Sequence, residues 1–101
     1  MARVIWSEPA ALDFDEIIGY IAMDNPDAAE RLARRIITHT RQLEHHPLSG
    51  PVIPELEKCN YRQITETPCR IFYEVRDDTV IILHMLRSER MLRLGNLGLT
   101  N

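Results

Sequence analysis

Apolar residues recur along this chain with two different periods, and the change from one to the other divides it into a helical first half and a stranded second half. Arg3-Val4-Ile5-Trp6 is a short β-type run. Ser7 closes it with a hydroxyl able to cap a helix, and Pro9 is tolerated in a first turn, so a helix is expected to begin near Glu8. Phe14, Ile17, Ile18 and Ile21 stand at i, i+3, i+4 and i+7, one apolar stripe, with Asp13, Asp15 and Glu16 off it. This predicts a packed face and solvated acids. Asp24-Asn25-Pro26 ends that helix and starts another, because Pro26 disfavours a helical Asn25 and suits a first helical position. The second helix is expected from about Pro26 to His45, with Ala29, Leu32, Ala33, Ile36, Thr40 and Leu43 on one side and Arg31, Arg34, Arg35 and Arg41 on the other. So brief a joint makes the two helices an antiparallel hairpin whose stripes need a common apolar surface, which must be a sheet.

His46 to Pro54 holds three prolines and a glycine and reads as a loop with extended pieces, without a domain boundary. From Cys59 onward the period is two. Tyr61 to Glu66 is a plausible strand, Thr67-Pro68 a turn, and Cys69 to Arg76 alternates Cys69, Ile71, Tyr73 and Val75 against Arg70, Phe72, Glu74 and Arg76. Asp77-Asp78 fits a short hairpin turn. Val80 to Leu86 is apolar at almost every position, which predicts a central strand covered on both faces. The expected fold is α+β: a strand, a helical hairpin and a three-strand antiparallel meander, both helices on one face of a four-strand, largely antiparallel sheet. Residues 1–94 form the single domain and residues 95–101 a loose tail, with Arg87 to Leu94 a last helical turn or part of that tail.

Composition narrows the functional classes. A chain of 101 residues suits one core, and 45% apolar with 27% charged residues is ordinary for a globular protein. No apolar run approaches the ~20 residues that cross a bilayer, and the opening residues lack a signal peptide's long apolar stretch, so a cytoplasmic protein without membrane contact is expected. Cys59 and Cys69 are too few and too irregular for a disulfide scaffold or a metal knuckle, and are expected reduced and apart. The formal charge is −3, so a nucleic-acid site would have to be a local patch. Of 12 basic residues only Lys58 is a lysine, which leaves arginine to supply bidentate contacts.

The order of elements and several short pieces together resemble the RelE/ParE toxin superfamily of bacterial type II toxin-antitoxin modules. These pieces are Trp6-Ser7-Glu8-Pro9-Ala10, the Asp13 to Ile21 helix, Leu43 to Gly50, Tyr61-Arg62, Arg70-Ile71-Phe72-Tyr73, Asp77-Asp78 and Ile82-Leu83-His84. No piece is specific alone; their order and spacing carry the likeness, from about Arg3 to Arg90. The resemblance implies a cognate antitoxin, and one of two activities: messenger-RNA cleavage on the ribosome in the RelE-like branch, or poisoning of DNA gyrase without nuclease chemistry in the ParE-like branch.

Cleavage beside a 2′-hydroxyl needs a general base, a general acid and cations near the phosphate. Arg62 and Arg70 match the sheet arginines of the nuclease branch, but the terminal stretch reads Arg87-Ser88-Glu89-Arg90 and no tyrosine follows Tyr73. His84 could act as a base only with a partner and an open cleft, and a packed ring is the favoured reading beside Leu83 and Met85. Glu55 and Glu57 read as solvated loop charges, and His39, His45 and His46 as helix-terminal residues, with no metal and no cofactor expected. The arginines of the second helix read as a solvated face, interrupted by Glu30 and Glu44. We therefore rank a ParE-like toxin acting on gyrase first, with no catalytic residue. A RelE-like messenger-RNA endonuclease of the ribosome is second and a non-toxic binding module third. The residues expected to bind target or antitoxin are Arg62, Arg70, His84, Arg87 and Arg90. Their bland alternative is ion pairing with Glu66, Glu74 or Glu89. Helix stripes, an arginine flank and an unpaired sheet edge offer the antitoxin a groove for an amphipathic helix or an added strand.

Overall fold

The computed structural model describes residues 1–54 and 60–87. Its elements run β1 (Arg3–Trp6), α1 (Glu8–Asp24), α2 (Pro26–Gln42), β2 (Arg62–Glu66), β3 (Cys69–Arg76) and β4 (Thr79–Arg87). The strands make one four-stranded sheet in the order β1-β4-β3-β2. β2, β3 and β4 form an antiparallel meander, while β1 pairs parallel to β4, because the two-helix connection returns the chain to the sheet in the direction in which it left. The sheet is thus mixed, and β4 is central, as its apolar run predicts. No helix among the described residues is long and apolar enough to cross a membrane.

Local chemistry explains the boundaries. The Ser7 hydroxyl caps α1 by accepting from the Ala10 N–H at 3.1 Å, and donates to the Leu83 carbonyl at 2.9 Å. The same side chain therefore starts the helix and ties it to β4. Asn25 closes α1 through its backbone N–H and opens α2 through its side chain, which accepts from Ala28 N–H. α2 ends at Gln42, three residues earlier than the apolar spacing suggests, since the chain turns over residues 43–45 while Leu43 stays buried.

The helices are anchored unequally. Ala29, Leu32, Ile36 and Thr40 of α2 are buried, whereas Phe14, Ile17, Ile18 and Ile21 of α1 are only half-buried and Ala10 is its one buried residue. A fully buried aliphatic side chain contributes about 2 kcal/mol, so α2 is firmly seated and α1 keeps apolar surface to offer. Leu12, Tyr20 and Met23 add to that surface, with Met23 86% exposed.

A bulge decides which side chains of β4 meet the helices. Phe72 pairs with His84 but Tyr73 pairs with Ile82, so Leu83 is an extra residue and the alternation changes phase there. Val80 and Ile82 face the core before the bulge, and Met85 after it; all three are buried. The expectation that both faces of β4 are covered is met only in part, since Ile81, Leu83, His84 and Leu86 are half-buried.

The corner before β2 is held by one phenol. Tyr73 is buried; its hydroxyl donates to the Pro47 carbonyl at 2.9 Å and accepts from the Gly50 N–H at 3.0 Å. Burial pushes this phenol's pKa above its ordinary value, against the opposing effects of the Gly50 N–H, the Arg62 charge and the Ser49 hydroxyl. A group whose folded pKa is raised binds its proton more tightly in the folded state. Its contribution is thus whole below the unfolded tyrosine value of about 10 and is lost as pH rises through the folded value. Denaturant titrations above that pH are expected to show an alkaline loss of stability that is smaller in Tyr73→Phe; an unchanged loss would refute the assignment.

Candidate partner-binding site

A cleft of about 460 Å³ runs between α1 and the last third of β4, walled by Glu16, Ile17, Tyr20 and Met23 on one side and Met85 to Arg87 on the other. It exists because β1 is short. β1 pairs with Thr79 to Ile82 only, so beyond Ile82 the strand edge runs alongside α1 instead of a neighbouring strand. Two side chains of the α1 segment occupy that edge. Ser7 Oγ reaches the Leu83 carbonyl, and Asp13 Oδ2 accepts from the Met85 N–H at 3.0 Å and lies 3.0 Å from His84 Nδ1.

Asp13 is therefore no solvated acid, contrary to expectation from its place off the apolar stripe; it is half-buried and joins α1 to β4. Asp15 and Glu16 are exposed, as expected. At the open end of the cleft the Arg87 guanidinium lies 4.8 Å from the centroid of the Tyr20 ring. The cleft so combines an apolar floor with a carboxylate wall and a cationic rim, which suits one face of an amphipathic partner segment.

The arginines and histidine singled out in the sequence do not converge. Arg62 Nη1 donates to the Gly50 carbonyl at 2.7 Å and the Leu48 carbonyl at 3.3 Å, bracing the corner that Tyr73 holds. Arg70 Nε donates to Gln63 Oε1 at 2.9 Å, and its guanidinium lies 5.0 Å from the Phe72 ring centroid. Arg62 stands opposite Tyr73 and Arg70 opposite Thr65, so the two side chains leave opposite faces of the sheet. His84 is 17% exposed and has Asp13 as the partner that a histidine base needs. Arg87 lines the cleft; Arg90, Glu55, Glu57 and Cys59 lie outside the described residues, and of the two cysteines only Cys69 is described, buried in the core.

Of the three glutamates offered as bland partners, Glu89 lies outside the described residues and the other two are used differently. Glu66 holds His39 Nδ1 at 2.7 Å and Arg35 Nε at 3.4 Å, linking α2 to β2, while Glu74 pairs with Arg76. No group of three or more His, Cys, Asp or Glu that could hold a metal ion occurs among the described residues. Tyr20, Asp13 and Gly50 were not among the residues expected from the sequence to be functional. Of these only Asp13 left a signal, a carboxylate one residue from the buried edge of an amphipathic stripe.

Comparison with known proteins bears on the family and the fold. The family model described as "ParE toxin of type II toxin-antitoxin system, parDE" matches residues 4–92. Toxin RelE2 of Caulobacter vibrioides is 30% identical over 92 residues, spanning 90% of this chain and all of that protein. The protein Y4kP of Sinorhizobium fredii is 32% identical over 83 residues, 82% of this chain and 85% of its own length. A solved structure of a chromosomal ParDE system from P. aeruginosa superposes with a TM-score of 0.74 at 24% identity, covering 88% of this chain and 98% of that one, a likeness of fold.

Proposed function

Because this chain belongs to the ParE toxin family of type II toxin-antitoxin systems, we propose that it acts inside the cell on DNA gyrase and is silenced by a cognate antitoxin seated in the α1–β4 cleft. The observation that carries the gyrase reading is the dispersal of its sheet cations. Arg62 and Arg70 are engaged within the chain and leave opposite faces, so no acid, base and cation set surrounds a phosphate among the described residues. Binding to a protein surface needs no such convergence. Antitoxin docking rests on the half-buried stripe of α1, with Tyr20 and Arg87 at the rim of the cleft.

Tyr20 and Arg87 form one stacked pair, so removing either side is expected to weaken the antitoxin complex. Tyr20→Ala and Arg87→Ala should each raise its dissociation constant about tenfold, read by titration calorimetry. Unchanged affinity in both would remove the cleft from the interface.

A ribosome-dependent messenger-RNA endonuclease is the second reading, favoured by the His84–Asp13 pair. A carboxylate on Nδ1 leaves Nε2 to exchange a proton with substrate. His84→Gln separates the readings, because it would abolish cleavage and leave a gyrase-directed activity in place.

A further inference from the structure

Since most arginines of the sheet are occupied within the chain, the cations available to a partner lie elsewhere. Arg31, Arg34, Arg35 and Arg41 all belong to α2 and are exposed. Arg34 pairs with Glu30, and Arg35 with Glu66 and the Thr67 carbonyl. Among the described residues neither Arg31 nor Arg41 makes a side-chain hydrogen bond or ion pair. At 100° per residue Arg31, Arg34 and Arg41 fall in one arc of the helix, and the rise of 1.5 Å per residue spreads them over about 15 Å. The exposed acids of α2 are Asp27, in its first turn, and Glu30; none follows Arg31.

α1 has the opposite character. It carries Glu8, Asp13, Asp15, Glu16 and Asp24 and no basic residue, and it packs directly against α2. The hairpin is therefore polarised in charge. A nucleic-acid duplex laid on α2 would bring its phosphates towards the carboxylates of the adjacent α1, whose repulsion is screened only over ~8 Å in physiological salt, and would be disfavoured. A protein patch of a few carboxylates can meet α2 without reaching α1.

We propose that the exposed arginine flank of α2, centred on Arg31, Arg34 and Arg41, is the surface through which this toxin engages its enzyme target, and that it meets an acidic patch of that protein. This rests on the gyrase reading and places target and antitoxin on different elements, α2 and the α1–β4 cleft. The surface gives the encounter its rate and its register, as complementary charge does at protein interfaces.

The test compares the Arg31→Glu/Arg41→Glu double variant with Arg3→Glu/Arg76→Glu, which makes the same change in net charge at exposed sites off α2. Inhibition of purified gyrase in a supercoiling assay should weaken by about tenfold or more in the first and by less than about twofold in the second. Arg31→Gln/Arg41→Gln should show the same ordering without introducing acids, and thermal unfolding should show all three folded. Fluorescence anisotropy should detect wild-type binding to gyrase without DNA, lost in the α2 variants. Full potency of both α2 variants would overturn the proposal, as would binding that appears only with DNA present. A wild-type protein that leaves gyrase untouched would instead overturn the gyrase reading, and this inference with it.

Discussion

Gly50→Ala is expected to cost about 3 kcal/mol or more of folding stability, a large share of what a domain of this size possesses. A Cβ at this position would stand 2.3 Å from the Gln63 carbonyl oxygen, 3.0 Å from its carbon and 2.8 Å from the Tyr73 hydroxyl. Two of these atoms are backbone of β2, so the collision cannot be relieved by turning a flexible side chain. The loop must move, and moving it breaks the bonds from Gly50 N–H to Tyr73 and from Arg62 to the Gly50 carbonyl. Urea unfolding should show the midpoint falling with little change in slope. Tyr73→Phe in the Gly50→Ala background removes one of the crowding atoms but not the backbone contacts, so it should not restore stability. A Gly50→Ala variant as stable as the wild type would refute the close packing of this corner.

Asp13→Ala is the second large effect, expected at about 2–4 kcal/mol, because one carboxylate accepts from both the Met85 N–H and His84 and nothing else takes its place. Removing it strands a strand-edge N–H and releases α1 from β4 at the point where β1 no longer covers the edge. Asp13→Asn keeps an acceptor oxygen and should recover part of the loss. Hydrogen exchange at Met85 is the sensitive reporter: its amide should exchange much faster in Asp13→Ala than in the wild type, with amides in the middle of β3 slowed or quickened only through global unfolding. Wild-type protection at Met85 in Asp13→Ala would show that the carboxylate is dispensable.

Much of this architecture was legible because the signals were local and redundant. Ser7 before Pro9, Asn25 before Pro26 and the doubled aspartate at 77–78 each fix a boundary by chemistry that needs no tertiary context. The apolar run of β4 placed that strand in the centre of the sheet. Its bulge was harder to see, although the buried positions Val80, Ile82 and Met85 break a period of two by one residue. That single residue changes the phase of β4, so that Met85 follows Val80 and Ile82 in the core and Arg87 comes beside Tyr20.

The site was less legible, for a physical reason. Arg62, Arg70 and His84 were chosen for chemical type, but each has a partner distant in sequence: the corner carbonyls, Gln63 and Asp13 respectively. Sequence shows which cations exist and not which are already occupied. The arginines of α2 looked like a solvated face for the same reason, since only the fold reveals that Arg31 and Arg41 have no side-chain partner among the described residues while Arg62 and Arg70 on the sheet are engaged.

On the proposed reading this toxin acts on DNA topology and does not cut transcripts. That reading is tested most directly by incubating the purified protein, in parallel, with gyrase plus relaxed plasmid and with translating ribosomes plus a defined message. A gyrase-directed toxin should give a dose-dependent loss of supercoiling, relieved by the cognate antitoxin and retained by His84→Gln, with the message intact. Codon-dependent cleavage of the ribosome-bound message, abolished by His84→Gln, with supercoiling unaffected, would contradict that reading.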